Sequence, residues 1–116
     1  MREKILSLLS GQKTDMVPAF SGLIHVTAEG LDTMLAVNYL APFLLTGLLL
    51  DRLKAGSPSR VVNVSSITHF RARFDPADLA DGGFARGPYA HSYGRTKLML
   101  AMFSNELAER LAGTGV

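Results

Sequence analysis

One short β-branched run between two long helical patterns constrains this chain more than any other feature. Arg60-Val61-Val62-Asn63-Val64 is bounded by turn-forming residues and has the composition of a buried parallel strand. A lone strand cannot form a sheet, so either the N-terminal segment supplies a second strand or the sheet is incomplete. The 116 residues are also too few for a complete doubly wound fold of roughly 250 residues.

A long helical pattern precedes this run and extends from about Glu29 to Ala55. Leucines recur at helical spacing along it, and Thr27 is a candidate N-cap. Pro42 lacks a backbone donor, so we expect it to kink or split the helix near Asn38.

The other elements complete the predicted order. Residues 2–10 have the spacing of a short helix, and residues 22–26 of a short strand. Residues 65–88 form a long connection before a final helix from about His91 to Leu111, whose run Leu98 to Phe103 predicts burial on several sides. The predicted fold class is therefore α/β: an incomplete Rossmann-like, doubly wound segment of helix, strand, loop and helix with a short N-terminal helix.

Composition excludes several classes of function. The net charge is only +2, which predicts no nucleic-acid partner, and the lack of cysteine excludes disulfides, thiolate catalysis and cysteine-bound zinc. His25, His69 and His91 lack ligand spacing, so no metal site is predicted. The most apolar stretch, Leu35 to Leu50, is shorter than the ~20 residues of a membrane span, so we interpret it as a buried helix and expect a cytoplasmic protein.

Tyr93 and Lys97 carry the sharpest chemical signal, because residues four apart share one face of a helix. An ammonium group one turn away stabilises a phenolate, and a phenol so placed can exchange a proton with an alcohol or carbonyl oxygen. By itself the pair is also typical of a buried ring beside a solvated lysine.

Two further polar positions accompany this pair. Ser65-Ser66 follows the predicted strand, where functional groups of α/β sheets gather, although a serine there also caps turns. Asn38 is polar on an otherwise apolar helical face, where an asparagine satisfied by backbone is the alternative. Arg71, Arg73 and Arg86 make the long connection basic, which we interpret as a solvated face, with a cofactor phosphate or nucleic acid as the alternative.

Together, Asn38, Ser66, Tyr93 and Lys97 and their flanking sequences resemble the short-chain dehydrogenase/reductase family, particularly its retinol-dehydrogenase-like members. The resemblance covers residues 28–116. It implies that Tyr93 is the catalytic acid/base, that Lys97 assists it and binds the nicotinamide ribose of NAD or NADP, and that Ser66 positions the substrate carbonyl. It also implies that Asn38 holds a water in the proton relay.

The resemblance further implies an oxidoreductase for alcohol or carbonyl groups of hydrophobic small molecules. Homo-oligomers would form through the helices near residues 31–55 and 91–111. The sequence departs from the family in lacking a glycine-rich TGxxxGxG turn, which cradles the cofactor pyrophosphate. We therefore expect a truncated segment with an incomplete cofactor site, and whether it is an active enzyme stays open.

Residues 1–24 do not resemble a dehydrogenase. Their Arg2-Glu3-Lys4 start, with Gly11 and Pro18, is faintly similar to the opening of uroporphyrinogen-decarboxylase-like methyltransferases. We therefore divide the chain into an N-terminal segment of different origin, residues 1–27, and a dehydrogenase/reductase segment, residues 28–116. Two alternatives stay open: a non-catalytic remnant or helix-mediated interaction module, and a fragment of a decarboxylase- or methyltransferase-like barrel with strands continuing after Val26.

Overall fold

The computed structural model describes residues 27–80 and 89–116, which are helices joined by extended segments and turns. In chain order the helical elements are α1 (Thr33–Leu35), a π-helical turn (Ala36–Leu40), α2 (Ala41–Ala55), a 3₁₀ turn (Ile67–Arg71), α3 (Ala77–Ala80) and α4 (Tyr89–Arg110). The helix predicted at residues 2–10 and the strand predicted at 22–26 lie outside the described residues. Helix, rather than the strands of a barrel, follows from Thr33 to Ala55.

The first helix begins at Thr33, and Asp32 rather than Thr27 caps it. The Asp32 carboxylate accepts the Leu35 backbone N–H at 2.9 Å, which satisfies one of the free amides of the first turn. Thr27 instead closes the preceding turn, where its N–H donates to the Leu31 carbonyl at 2.8 Å. Gly30 gives this turn its positive φ of 80°. The predicted start near Glu29 and the predicted Thr27 cap are therefore wrong.

The predicted interruption near Asn38 is present as the π-helical turn. The Ala41 N–H donates to the carbonyl of Ala36, five residues earlier. Pro42 has no amide hydrogen to donate to the Asn38 carbonyl, so regular α-helical bonding cannot continue through this position. The wider turn also shifts the phase of every later side chain, and leucines that share one face of an ideal helix no longer do so.

Helix α2 is apolar but largely exposed, contrary to the burial predicted from its sequence. Leu45 is 50% exposed and Leu48 is 48% exposed, whereas Thr46 is buried. The continuous helical stretch Thr33–Ala55 has 23 residues, a mean hydropathy of 1.7 and only 11% of its most apolar window buried. By length and composition alone it could cross a membrane, a test that core helices and signal sequences also pass.

The small core lies where α1 and the π-helical turn pack on α4. Leu35 and Met99 are its buried centre, and Tyr39, Leu40 and Phe74 pack around them. Burial raises the pKa of the Tyr39 phenol, because the charged phenolate is disfavoured away from water.

Helix α4 has nearly the predicted bounds. It ends at Arg110, whose side chain pairs with Glu106 one turn earlier, and the chain then turns through Gly113 at a φ of 78°. Met99 and Leu100 are buried, but Met102 is 50% exposed. The run Leu98 to Phe103 is thus buried or half-buried on several sides, as predicted, and only Met102 is exposed.

Residues 60–64, predicted as a strand, form no regular secondary structure, and the described residues contain no β-strand. Val62 is 82% exposed and Val64 is 74% exposed, because no neighbouring strand covers them. The segment is attached to α4 instead, where the Asn63 amide donates to the Ser104 hydroxyl at 2.9 Å. The α/β prediction is therefore corrected for the described residues, which hold helices and an unpaired strand-like segment.

Replacing Asp32 by alanine should lower the free energy of unfolding by about 1 kcal/mol, because it removes a buried N-cap. Asp51→Ala is the matched control, since Asp51 is an exposed aspartate within α2. Urea denaturation followed by circular dichroism measures both. Equal losses in the two variants would contradict the capping role.

Candidate active site

Tyr93 and Lys97 lie one turn apart near the start of α4, as the sequence predicts. The Lys97 ammonium lies over the Tyr93 ring, 5.7 Å from its centroid. It also donates a hydrogen bond to the Val64 carbonyl at 2.8 Å. The ammonium group thus joins the aromatic ring to the end of the extended segment.

A second bond at Lys97 fixes the beginning of the long connection. The Ser65 hydroxyl donates to the Lys97 main-chain carbonyl at 3.3 Å. Val64 and Ser65 are therefore both attached to the same residue of α4, one through its side chain and one through its backbone. This double attachment places Ser66 next to a point on α4 one turn beyond Tyr93.

Ser66 has extended backbone angles and caps the 3₁₀ turn. Its hydroxyl oxygen accepts the Thr68 hydroxyl at 3.0 Å and the Thr68 backbone N–H at 3.4 Å. Within the described part of the chain, no hydrogen bond joins Ser66 to Tyr93 or Lys97. The structure therefore brings Ser66 to the same region without direct contact, and its hydroxyl hydrogen is not used in these two bonds.

Asn38 is tied to the Tyr93 turn through Thr96. The Asn38 amide donates to the Thr96 hydroxyl at 3.3 Å, and that hydroxyl donates to the Tyr93 carbonyl at 2.8 Å. The Thr96 side chain is fully buried, with 0% exposure. Because a hydrogen bond is strengthened away from water, this relay holds the π-helical turn against α4 beside Tyr93.

Three contributors to this geometry were not found in the sequence. Thr96 lies inside the Tyr93–Lys97 motif, but nothing in its spacing shows that Asn38 bonds to it. His69 follows Ser66 closely, and its Nδ1 contacts the Ser66 carbonyl and lies 3.4 Å from the Ser65 hydroxyl. Gly94 adjoins Tyr93, and its lack of a side chain is the one local signal that another segment approaches there.

Gly94 permits a close approach between α4 and the 3₁₀ turn. A Cβ added at Gly94 would lie 3.1 Å from the Thr68 carbonyl oxygen and 3.4 Å from the Ala72 Cβ. Such a contact with backbone is tighter than side chains normally make. The segment after Ser66 is thereby held against the same helical turn that carries Tyr93.

The described residues contain no group of three or more His, Asp and Glu side chains that could hold a metal ion. The polar groups that gather here are a phenol, an ammonium, hydroxyls and a primary amide. This set can donate and accept protons and hydrogen bonds around an oxygen-bearing ligand. The individual roles of Asn38, Ser66, Tyr93 and Lys97 remain predictions from the sequence.

The chain is similar to several curated proteins. It is 50% identical over 92 residues to retinol dehydrogenase 12 of Homo sapiens, covering 78% of this chain and 28% of that protein. Retinol dehydrogenase 13 of Mus musculus is 42% identical over 90 residues, which is 78% of this chain and 27% of that protein. Retinol dehydrogenase 11 of Mus musculus is 40% identical over 114 residues, covering 98% of this chain and 34% of that protein.

The chain therefore spans about 28% of the length of the first of these relatives. No family model matches the chain, and no solved structure matches it.

Replacing Thr96 by valine should lower the free energy of unfolding by about 1–3 kcal/mol, because the shape is kept while two half-buried partners lose their bond to the hydroxyl. Thr33→Val is the matched control at a half-buried threonine. Urea denaturation of Thr96→Val, Asn38→Ala and the double variant forms a cycle that measures the Asn38–Thr96 coupling. Strictly additive losses would show that the relay does not couple the two elements.

Proposed function

Because the aligned part of this chain belongs to the short-chain dehydrogenase/reductase family, we propose that the chain is a segment of an NAD(P)-dependent oxidoreductase. Its substrate is an alcohol or carbonyl group on a hydrophobic small molecule, and retinol is the first substrate to test. The observation that carries the proposal is the Tyr93–Lys97 pair, whose ammonium lies 5.7 Å from the centre of the aromatic ring. Val64 and Ser65, which directly precede Ser66, are both hydrogen-bonded to Lys97 of this pair.

Tyr93 is the acid/base in this proposal. During alcohol oxidation its phenolate oxygen takes the hydroxyl proton, and during carbonyl reduction its phenol returns a proton to the oxygen. NAD or NADP, when bound, supplies the hydride exchange. The side chains around Tyr93 then position the substrate and the cofactor relative to each other.

Lys97 fits a role at the nicotinamide ribose. An ammonium group has three N–H donors, and one of them is used by the Val64 carbonyl at 2.8 Å. The other two N–H donors are available to the ribose hydroxyls and to the Tyr93 side chain.

Ser66 and Asn38 take supporting roles. The Ser66 hydroxyl accepts two bonds from Thr68, so its own hydrogen can be donated to the substrate oxygen. Asn38 is fixed by the hydrogen bond from its side-chain amide to the Thr96 hydroxyl. Its main-chain carbonyl cannot accept a hydrogen bond from Pro42, which has no N–H. That carbonyl suits the water of a proton relay leading away from Tyr93.

In this proposal, the sheet and the rest of the cofactor site would be formed by residues other than those described. In a Rossmann-like domain, residues 60–64 would be a strand, and the exposed Val62 and Val64 would be covered by its neighbours. The sequence contains no glycine-rich turn for the pyrophosphate. The chain's own residues therefore serve the nicotinamide end of the cofactor.

A second candidate function, a helix-mediated interaction module, is favoured by the exposed apolar surface of α2. Phe43 on α2 packs on Phe103 of α4 with ring centroids 5.1 Å apart, while Leu45 and Leu48 of the same helix stay half exposed. Apolar surface of this kind promotes association in water. We propose that two copies of the chain pair through α2 and α4. We also propose that the protein is cytoplasmic.

Tyr93→Phe should lower the rate of retinol oxidation by about 100-fold or more, because it removes the proton-transfer oxygen. Tyr39→Phe is the matched control, since it deletes a phenol oxygen elsewhere in the same fold. NADH or NADPH formation is followed by fluorescence with each cofactor. Equal rates in Tyr93→Phe and the unmodified chain would refute the acid/base assignment, and no turnover in the unmodified chain would favour the interaction module.

Leu45→Glu should convert a dimer to a monomer, because it places a charge in an apolar interface. Ala55→Glu adds the same charge at an exposed position of α2 and should leave the dimer intact. Sedimentation velocity measures the mass of each species. A monomeric unmodified chain at high concentration would contradict pairing through these helices.

A further inference from the structure

A cavity on the side of α4 near Gly94 is basic, and the proposed oxidoreductase chemistry does not use it. It lies between the 3₁₀ turn with its following residues and the first turns of α4, and its volume is about 480 Å³. Its lining includes three arginines and a histidine, together with small or uncharged residues: Arg71, Arg73, Arg95, His91, Thr68 and Gly94. Among the described residues, no aspartate or glutamate lines it.

Arg71 and Arg73 carry positive charge that no described residue neutralises through an ion pair. Among the described residues, neither Arg71 nor Arg73 forms an ion pair, and the one described ion pair, Glu106–Arg110, lies at the far end of α4. Asp75 is the nearest following carboxylate in the sequence, and its Oδ1 accepts the Ala77 N–H at 2.9 Å as a cap for α3. Two exposed guanidinium groups are thus available to a ligand.

The walls are held together by backbone rather than by long side chains. A Cβ at Gly94 would come within 3.1 Å of the Thr68 carbonyl oxygen, so the two walls meet as closely as a glycine allows. The Ala72 N–H donates to the His69 carbonyl at 3.1 Å, which closes the 3₁₀ turn between Thr68 and Arg71. The arginines therefore extend from a fixed rim.

We propose that this cavity binds a small soluble organic phosphate. Guanidinium groups match the geometry of phosphate oxygens and bind them through paired, charge-assisted hydrogen bonds. The cavity has the size range of small-molecule sites, about 300–1,000 Å³, and so admits a ligand larger than a single ion. The site stands independently of the proposed oxidoreductase activity, because it uses none of the side chains assigned to that reaction.

Pyrophosphate is the probe for the first test, titrated into the unmodified full chain at constant ionic strength. Nuclear magnetic resonance should show saturable shifts confined to the backbone amides of residues 68–73 and 91–95. Saturable binding should weaken as sodium chloride is raised, because the contacts are between charges. Shifts spread over all basic surfaces, or shifts that never saturate, would overturn the proposal.

The double variant Arg71→Gln with Arg73→Gln should bind pyrophosphate about tenfold more weakly or worse, because two charge-assisted contacts are lost. Arg52→Gln with Arg60→Gln is the matched control, since both are exposed arginines outside the cavity and the net charge falls equally. Circular dichroism verifies that both variants fold. If the double variant does not fold, the location of the shifts in the unmodified chain still decides the question.

Lipid phosphate is distinguished in a separate arm. Vesicles of phosphatidylcholine with added phosphatidylglycerol are sedimented with the chain and with the double variant. Binding to vesicles that depends on Arg71 and Arg73, without saturable binding of pyrophosphate, would overturn the assignment of a soluble ligand. The proposed site would also be overturned if Arg52→Gln with Arg60→Gln weakened pyrophosphate binding as much as Arg71→Gln with Arg73→Gln.

Discussion

The buried hydroxyl of Thr96 is the interaction on which the arrangement of the candidate site depends. It accepts from Asn38 at 3.3 Å and donates to the Tyr93 carbonyl at 2.8 Å. One side chain with 0% exposure therefore fixes the π-helical turn relative to the turn of α4 that carries the phenol. A hydroxyl can do this because it donates and accepts at once, which valine of the same shape cannot.

Helix α4 takes the place that a sheet would have in organising the remaining segments. The extended residues before Ser66 are attached to it through Asn63 and Ser104 and through the ammonium of Lys97. Each of these bonds uses a side chain on at least one partner, whereas a β-ladder uses only backbone groups. A few side-chain bonds hold this segment in place but leave Val62 and Val64 exposed. The segment is therefore fixed in position without being buried.

Local patterns in the sequence predicted the features that depend on neighbours in the chain. The bounds of the last helix, the Tyr93–Lys97 spacing and the interruption before Pro42 all follow from contacts within one or two turns. The N-cap was missed because Thr27 and Asp32 are both capping residues, and the turn through Gly30 decides between them. The predicted strand was wrong because β-branched residues favour a pleated surface that other strands must supply. The hydrogen bond between Asn38 and Thr96 could not be predicted because the two residues are 58 positions apart, beyond the reach of any local pattern.

Two contrasting surfaces meet on α4, and their difference argues for how the site works. The α2 side is apolar and packs through rings such as Phe43 and Phe103, whereas the side of the long connection is polar and basic. Tyr93 lies in the turn where these surfaces join, and it is half-buried with the Lys97 ammonium over its ring. The proposed acid/base role needs both features, since the bond from Thr96 holds the Tyr93 turn in place and partial exposure leaves the phenol within reach of a substrate.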